Sequence, residues 1–313
     1  MGWLRTTSAP RRFELVGVRH WCEHLAGLLG SIDSAHNYEA IEIRRLPGVR
    51  PRGSTVVRVG FRPGALTLRG IAFDLAWAMT VPRSRRLTYW IGTDVAHTND
   101  EAEVHDIRRR WRRHLAGRSA CGAPWFVDEL ARAGITAEAV RFPYGTVGAD
   151  PEWIDWPDRF QVSIYLPANK PEFYGSEVLL ALADATPDIH YLVFGTAAVA
   201  DRPNIEHCGY VDDLVHALSR TVAHLRLSEH DAIAGTVRDA LSIGRYVLFG
   251  YELPGVTMVD VRDPLEIADH LRRIKAQFDA GELEANRQGL DFAAAMEPSR
   301  DAAALAEWIT RAS

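Results

Sequence analysis

Short apolar runs alternate with helix-type segments along this chain, and the alternation occurs twice. The first series includes FELVGV (13–18), STVVRVGF (54–61) and LTYWIGTDV (87–95), and the second begins at FQVSIYLP (160–167). Strands that are separated by helices form β-α-β units, in which the strands pair in parallel. The pattern therefore predicts an α/β protein with two parallel sheets.

A segment without either period separates the two series. PYGTVGADPEWIDWPD (143–158) is rich in Pro, Gly, Asp and Trp, which is typical of a linker. The chain of 313 residues also exceeds the roughly 250–300 residues at which single cores stop growing. We expect two Rossmann-like domains, 1–150 and 151–295, that face each other across a cleft, with a C-terminal helix (296–313) that packs back on the first domain.

Composition narrows the class of protein. Hydrophobic residues at 47% and charged residues at 25% match an ordinary globular protein. A net charge of −5 lacks the basic footprint of nucleic-acid binding, so no nucleic-acid partner is expected. The three cysteines are far apart and form no disulfide or zinc pattern, which favours a cytoplasmic location.

One basic segment stands out from this acidic balance. RRRWRRH (108–114) places five arginines around a tryptophan in a helix-type stretch. It is either the solvated face of a helix or a basic surface that meets anionic lipid or an acidic acceptor. The second alternative predicts peripheral contact with the inner face of a membrane.

The segment EHDAIAGTVRDALSIG (229–244) suggests a phosphate-binding helix start. The N–H groups of Gly235, Thr236 and Val237 would begin a helix after a strand, where partial positive charge suits a diphosphate. Asp239 follows one turn later, where a carboxylate can accept hydrogen bonds from ribose hydroxyls. Taken alone, the segment is explained better by an ordinary amphipathic helix with solvated charges.

Neighbouring motifs, which follow one another in the same order as in a known enzyme family, favour the phosphate-binding interpretation instead. Asp231 and Asp239 are separated by seven residues, and the segment resembles the E-x7-E region of glycosyltransferase family 4, which comprises retaining enzymes of the GT-B fold. GYV (209–211) is similar to the family's Gly-x-Val turn, which holds the nucleobase, and KPEFYG (170–175) resembles the segment after the first strand of its donor domain. The resemblance covers residues 160–260.

The resemblance implies an activity and a set of roles. The chain would transfer a sugar from a UDP- or GDP-sugar to an acceptor hydroxyl, with retention of configuration and without a metal or other cofactor. Asp239 would hold the ribose and Asp231 the donor sugar. The remaining donor-site candidates are Lys170, Gly175, Tyr210, Val211, Arg226, His230, Gly235, Thr236 and Val237.

Two departures from the family pattern concern charge. Tyr174 stands where the family has a phosphate-binding lysine, so Lys170 or Arg226 is expected to reach the phosphates instead. Both acids are Asp rather than Glu, which shortens each side chain by about 1.5 Å. The alternative function is therefore a catalytically inactive nucleotide-sugar-binding or partner-binding protein on the same fold.

Two further groups are candidates in the first half of the chain. Asp94 ends the predicted strand 87–95 and would either act as a base, orient an acceptor hydroxyl, or cap the next helix. HWCEH (20–24) would contact a phosphate or an acceptor, or have a structural role. Its histidines at i and i+4 could share a metal, but the third ligand of a zinc site is missing, so no metal is expected there. The acceptor itself is a glycan, a lipid-linked sugar or a small molecule.

Overall fold

The computed structural model describes residues 11–41, 54–60, 68–82, 85–100, 106–144, 152–195 and 199–313. It divides into two compact units, which we call the first unit (Met1–Tyr144 with Pro298–Ser313) and the second unit (Gly145–Glu297). Each unit is built around one six-stranded parallel sheet. Among the described helices, none combines the length and apolar character that a bilayer crossing requires.

The sheet of the first unit has the strand order β2-β1-β3-β4-β5-β6. Its strands are β1 (Arg12–Gly17), β2 (Asn37–Ile41), β3 (Thr55–Val59), β4 (Arg86–Trp90), β5 (Arg118–Cys121) and β6 (Ala137–Ala139). The helices between them are α1 (Arg19–Ile32), α2 (Leu68–Thr80), α3 (Thr93–Asp100), α4 (Asp106–Ala116) and α5 (Trp125–Arg132).

The sheet of the second unit has the strand order β12-β11-β10-β7-β8-β9. Its strands are β7 (Gln161–Tyr165), β8 (His190–Phe194), β9 (Ile205–Gly209), β10 (Ala223–Arg226), β11 (Tyr246–Phe249) and β12 (Val256–Met258). Its helices are α6 (Ser176–Ala185), α7 (Leu214–Ser219), α8 (Gly235–Ser242), α9 (Pro264–Asp279) and α10 (Arg287–Ala294). The last helix of the chain, α11 (Pro298–Ala312), belongs to the first unit.

Helices cover both faces of the first sheet, as parallel strands require. On one face, the side chains of Leu15 and Tyr89 lie in a cluster with residues of α1 and α11, among them Trp308. On the other face, Val16 and Val56 lie in a cluster with Phe73, Trp77 and Leu115 from α2 and α4. Successive residues of a strand point to opposite faces, which explains why Leu15 and Val16 enter different clusters.

The strand order of the second sheet decides where a ligand can bind. Counted within the unit, it is the 3-2-1-4-5-6 order of dinucleotide-binding Rossmann folds. The chain moves outward from β7 to β9 and then crosses to the other side of β7 to form β10. The switch point of the sheet therefore lies between β7 and β10, and the open crevice of such a sheet lies at their carboxyl ends.

The structure differs from the sequence prediction at Asp94, at two edge strands and at one helix. The predicted strand 87–95 ends at Trp90, and Asp94 belongs to the helix α3. The edge strands β6 and β12 were not predicted, because three-residue strands carry too little pattern to be recognised. The helix α10 was not predicted either. The apolar pattern also predicts a strand at 38–46 and a helix at 101–115, and residues 42–46 and 101–105 of these two segments lie outside the described residues.

Candidate functional site

The candidate site lies at the switch point of the second sheet. β7 and β10 are hydrogen-bonded in parallel, with Leu225 opposite Ile164, so their carboxyl ends share one edge. The loop after β7 and the loop after β10 therefore meet there. The backbone N–H of Glu229 donates to the carbonyl of Phe173 at 3.1 Å and ties the two loops together.

An ion pair between Arg226 and Asp231 occupies the end of β10. Arg226 donates through Nε to Asp231 Oδ2 at 2.8 Å and through a terminal nitrogen to the same oxygen. Ser228 Oγ donates to that oxygen at 2.9 Å. The side chains of the pair are only 10% and 16% exposed, so the contact is screened much less than a surface ion pair. The carboxylate of Asp231, which the resemblance predicts to bind the sugar, therefore lies in direct contact with a cation, the Arg226 guanidinium.

Two aromatic rings support the Arg226 guanidinium. It lies 5.0 Å from the centre of the Tyr174 ring and 5.7 Å from that of Tyr165, within the range of a cation–π interaction. Tyr174 is the residue that stands where the resemblance predicts a lysine. A positive charge is therefore present next to that position, but it comes from the neighbouring strand rather than from the loop after β7.

The first turn of α8 has unused hydrogen-bond donors. The carbonyl of Ala234 accepts the N–H groups of Val237 at 3.1 Å and Arg238 at 3.2 Å. The N–H groups of Gly235 and Thr236 have no acceptor among the described residues, and the first turn carries no acidic side chain. Such a helix start attracts an anion through both the free N–H groups and the helix dipole.

A buried polar chain holds this turn against the sheet. His224 lies in β10 with its Nε2 3.1 Å from Thr236 Oγ1 and its Nδ1 3.0 Å from Ser163 Oγ. Burial, together with the charge of Arg226, lowers the pKa of His224 to about 3, so the ring is neutral. One ring nitrogen then donates and the other accepts. His224 was not among the candidates predicted from the sequence, where its only signal was that a polar residue stands within an apolar strand.

Asp239 lies one turn further along α8, and its carboxylate keeps open hydrogen-bond acceptor positions. Its nearest charged neighbour is the Arg238 guanidinium at 3.8 Å, and its carboxylate accepts no hydrogen bond from a described residue. Burial raises the pKa of Asp239 to about 6. A partly buried carboxylate with open acceptor positions can receive hydroxyl donors from a ligand.

Glycine is required at position 175. Its φ of +88° is in the left-handed region, and a Cβ there would lie 2.7 Å from the Cβ of Leu227 in the loop after β10. Because Gly175 has no side chain, the loop after β7 can pack closely against the loop after β10. Lys170, five residues earlier, is exposed and forms no ion pair with a described residue.

The predicted nucleobase turn follows β9 on the same edge of the sheet. Gly209 ends the strand with a φ of +68°, and the Tyr210 side chain is 78% exposed, with Val211 partly buried beside it. Three strand spacings separate β9 from β10, which corresponds to about 14 Å. His230, another predicted contact, is partly buried and lies edge-on to the ring of Tyr251.

Asp94 has the environment of a structural residue. Its carboxylate accepts the backbone N–H groups of Gly92 at 2.8 Å, Val95 at 3.1 Å and Ile91 at 3.2 Å. Burial raises its pKa to about 6 although these hydrogen bonds lower it. Of the alternatives drawn from the sequence, this geometry matches the cap that leads into α3.

The segment HWCEH is split between solvent and core. His24 Nε2 lies 2.9 Å from the carbonyl oxygen of Pro143, and His20 is exposed. Cys22 is buried, which raises the pKa of its thiol to about 12. Within the described part of the chain, no group of three or more potential metal ligands comes together, here or elsewhere.

No protein-family model and no curated protein matches the sequence. Solved structures do match it over nearly the whole chain. Sucrose-phosphate synthase from Thermosynechococcus elongatus has a TM-score of 0.68 at 12% identity, over 97% of this chain and 100% of that one. HepE from Anabaena, crystallised with UDP and glucose, has a TM-score of 0.62 at 10% identity, over 96% and 98%.

The N-terminal domain of trehalose-6-phosphate phosphatase from Candida albicans is a third similar structure, with a TM-score of 0.64 at 7% identity over 100% and 98% of the two chains. Identities this low establish fold alone, because one fold hosts several functions. Together with the two parallel six-stranded sheets, these likenesses show that the chain has the two-domain GT-B fold.

Proposed function

We propose that this protein is a glycosyltransferase that moves a sugar from a nucleoside diphosphate sugar to an acceptor hydroxyl. One observation carries the proposal. At the switch point of the second sheet, the free N–H groups that begin α8 are found with the cation of Arg226 and the uncommitted carboxylate of Asp239. Anion-binding donors beside a hydroxyl acceptor match the diphosphate and ribose of a nucleotide. The likeness in fold to HepE, which was crystallised with UDP and glucose, supports the same assignment.

Each part of the donor has a proposed partner. The diphosphate lies against the first turn of α8 and near Arg226, with Lys170 as a second cation from the exposed loop. Asp239 accepts hydrogen bonds from the ribose hydroxyls. The base lies at the turn Tyr210–Val211, whose distance of about 14 Å from β10 suits the extended nucleotide. Asp231 contacts the donor sugar.

Electrostatics is the main source of catalysis in this proposal. The bond between the anomeric carbon and the phosphate oxygen breaks, the acceptor oxygen bonds to that carbon, and the acceptor proton passes to the departing diphosphate. Negative charge then builds on the departing diphosphate, where the fixed N–H groups of α8 and the Arg226 guanidinium stabilise it. Arg226 would share its hydrogen bonds between phosphate and Asp231. Retention of configuration without a metal, and a cytoplasmic location, are further parts of the proposal that rest on the sequence resemblance and composition.

The acceptor is a hydroxyl of a glycan, of a lipid-linked sugar or of a small molecule. Asp94 is not assigned to its activation, because three backbone N–H groups already bind its carboxylate.

The proposal is tested by calorimetric titration of the purified protein with UDP, GDP and their sugar conjugates. Asp239→Ala should weaken nucleotide binding about 100-fold or more, because two hydroxyl hydrogen bonds to a charged group are lost. Asp269→Ala, which removes an exposed carboxylate from α9 of the same unit, is the matched control. Equal binding by the two variants would refute the assignment.

A second assay separates transfer from binding alone. Release of free UDP or GDP from the donor is followed with and without a panel of hydroxyl acceptors. Turnover supports the transferase, whereas tight donor binding with no turnover on any acceptor would identify a nucleotide-sugar-binding protein.

A further inference from the structure

The helix α2 of the first unit exposes an apolar stripe. Leu68, Ile71, Leu75 and Met79 recur at helical spacing on one face, and their exposed fractions run from 43% to 88%. Phe73 and Trp77, on the opposite face of the helix, are buried against the sheet. Single exposed apolar residues are common, but a continuous stripe of four large ones marks an interaction surface.

The helix α4 lies next to α2 in the same layer. Trp77 Nε1 of α2 donates to the carbonyl of Leu115 in α4 at 2.9 Å, and both residues belong to the cluster that covers this face of the sheet. The side chains of α4 that point away from the sheet are therefore presented on the same side of the unit as the apolar stripe.

The outward side of α4 is basic and aromatic. Arg110 and Arg113 are exposed and form no ion pair with a described residue, and Trp111 is 43% exposed. Arg112, in contrast, is buried and donates to the carbonyl of Thr98 at 3.1 Å. Among the described side chains of α2 and α4, the only carboxylate is that of Asp74, which is buried and paired with Arg58.

We propose that these two helices form a docking surface for an anionic lipid bilayer, which we call the α2–α4 surface. Apolar side chains would enter the boundary between headgroups and acyl chains, where tryptophan is also favoured. The free arginines would pair with lipid phosphates, each strengthened by the negative surface potential. Charge distinguishes this partner from a second copy of the chain, because two such surfaces would oppose arginine to arginine without an exposed described carboxylate on either helix.

Co-sedimentation of the full-length protein with vesicles tests the proposal. Vesicles of phosphatidylcholine alone are compared with vesicles that contain phosphatidylglycerol at about a third of the lipid. We expect binding to the anionic vesicles that weakens as salt increases, since added salt screens exposed charge. The assay needs no nucleotide, so its failure would leave the proposed sugar transfer untouched.

Two double variants divide the contributions. Arg110→Ser/Arg113→Ser should reduce partitioning into anionic vesicles about 30-fold, from two arginines near the surface. Leu75→Gln/Met79→Gln should reduce it by about tenfold or more through lost apolar burial. The matched controls lie on the second unit: Arg273→Ser/Arg287→Ser removes exposed arginines, and Leu265→Gln removes an apolar side chain that is 67% exposed. All four variants change exposed positions only, and circular dichroism verifies the folded state.

Three results would overturn the proposal. These are absence of binding to anionic vesicles, equal losses in the variants and their controls, and equal binding to both kinds of vesicle. A concentration-dependent dimer in sedimentation velocity that Leu75→Gln/Met79→Gln abolishes would show instead that the stripe joins two copies of the chain.

Discussion

The two sheets of this protein have the same size and direction of strands, yet they use their charged residues in opposite ways. In the first unit, Asp94 of α3 is bound by backbone N–H groups, and buried Arg58 of β3 pairs with Asp74 at 2.9 Å while it lies over two aromatic rings. In the second unit, Asp239 and the first turn of α8 have hydrogen-bonding groups that no described residue satisfies. The fold therefore already satisfies the carboxylate of Asp94, whereas Asp239 keeps the acceptor positions that we propose a ligand fills.

The largest effect is expected at Asp231, because we expect this residue to contribute both to the stability of the second unit and to donor binding. Asp231→Ala removes the carboxylate that pairs with the buried Arg226 guanidinium, which should lower the free energy of unfolding by about 3 kcal/mol. Transfer should fall by about 100-fold or more, because the sugar contact and the position of Arg226 are both lost. Urea unfolding and steady-state kinetics measure the two losses.

Glu229→Ala provides the control for this variant. Glu229 pairs with Arg262 at 2.6 Å on the surface, and such pairs contribute less than about 1 kcal/mol. If Asp231→Ala destabilised the protein no more than Glu229→Ala does, the ion pair would not hold the loop after β10.

Asp239→Asn should separate stability from binding. The folded protein raises the pKa of this carboxyl from 3.8 to about 6, so the protonated form is favoured by folding. Its contribution to stability is full below pH 3.8 and disappears as the pH rises through 6. Because asparagine carries no charge to bury, the variant should be more stable than the parent above pH 6, by about 1–2 kcal/mol. This free energy is smaller than the full pKa shift implies, because the side chain is partly exposed.

The same variant should bind UDP or GDP at least about tenfold more weakly, since the charged acceptor is lost. Urea unfolding at pH 4 and pH 8, with titrations at pH 8, tests both expectations. A variant that is less stable than the parent at pH 8 would contradict the view that the Asp239 charge is kept for a ligand.

Asp94→Ala tests the other side of the comparison. Loss of the hydrogen bonds to three backbone N–H groups should lower the free energy of unfolding by about 1–2 kcal/mol. The affinity for nucleotide should not change. Thermal unfolding and calorimetric titration give the two values, and a lower turnover at unchanged stability would return Asp94 to the catalytic candidates.

The smallest effect is expected at Lys170. Because this lysine is exposed, Lys170→Ala should weaken nucleotide binding only about fivefold, and the difference should shrink in high salt. The other lysine of the chain, Lys275, forms surface ion pairs with Asp188 and Asp279 in the same unit. Lys275→Ala should leave the affinity unchanged, so equal effects of the two variants would remove Lys170 from the site.

Local pattern was sufficient for most of the fold. Apolar runs that alternate with helical segments predicted parallel sheets, and the resemblance of residues 160–260 predicted the GT-B fold, which the structure and its solved neighbours confirm. Short edge strands escaped because three residues show no period. The strand prediction for Asp94 was wrong because a strand and the turn that begins a helix can share the same few residue types.

The alternation of strands and helices, and the segments that we propose to bind the donor, were recognisable in the sequence because periodicity, glycines and acidic spacing are local properties. Three further features became visible with the packed fold: Arg226 pairs with Asp231 over Tyr174, His224 holds the first turn of α8, and α2 leaves one apolar face exposed. Each of these depends on which strands and helices become neighbours. That choice is made by packing between residues distant in sequence, which a local pattern does not contain.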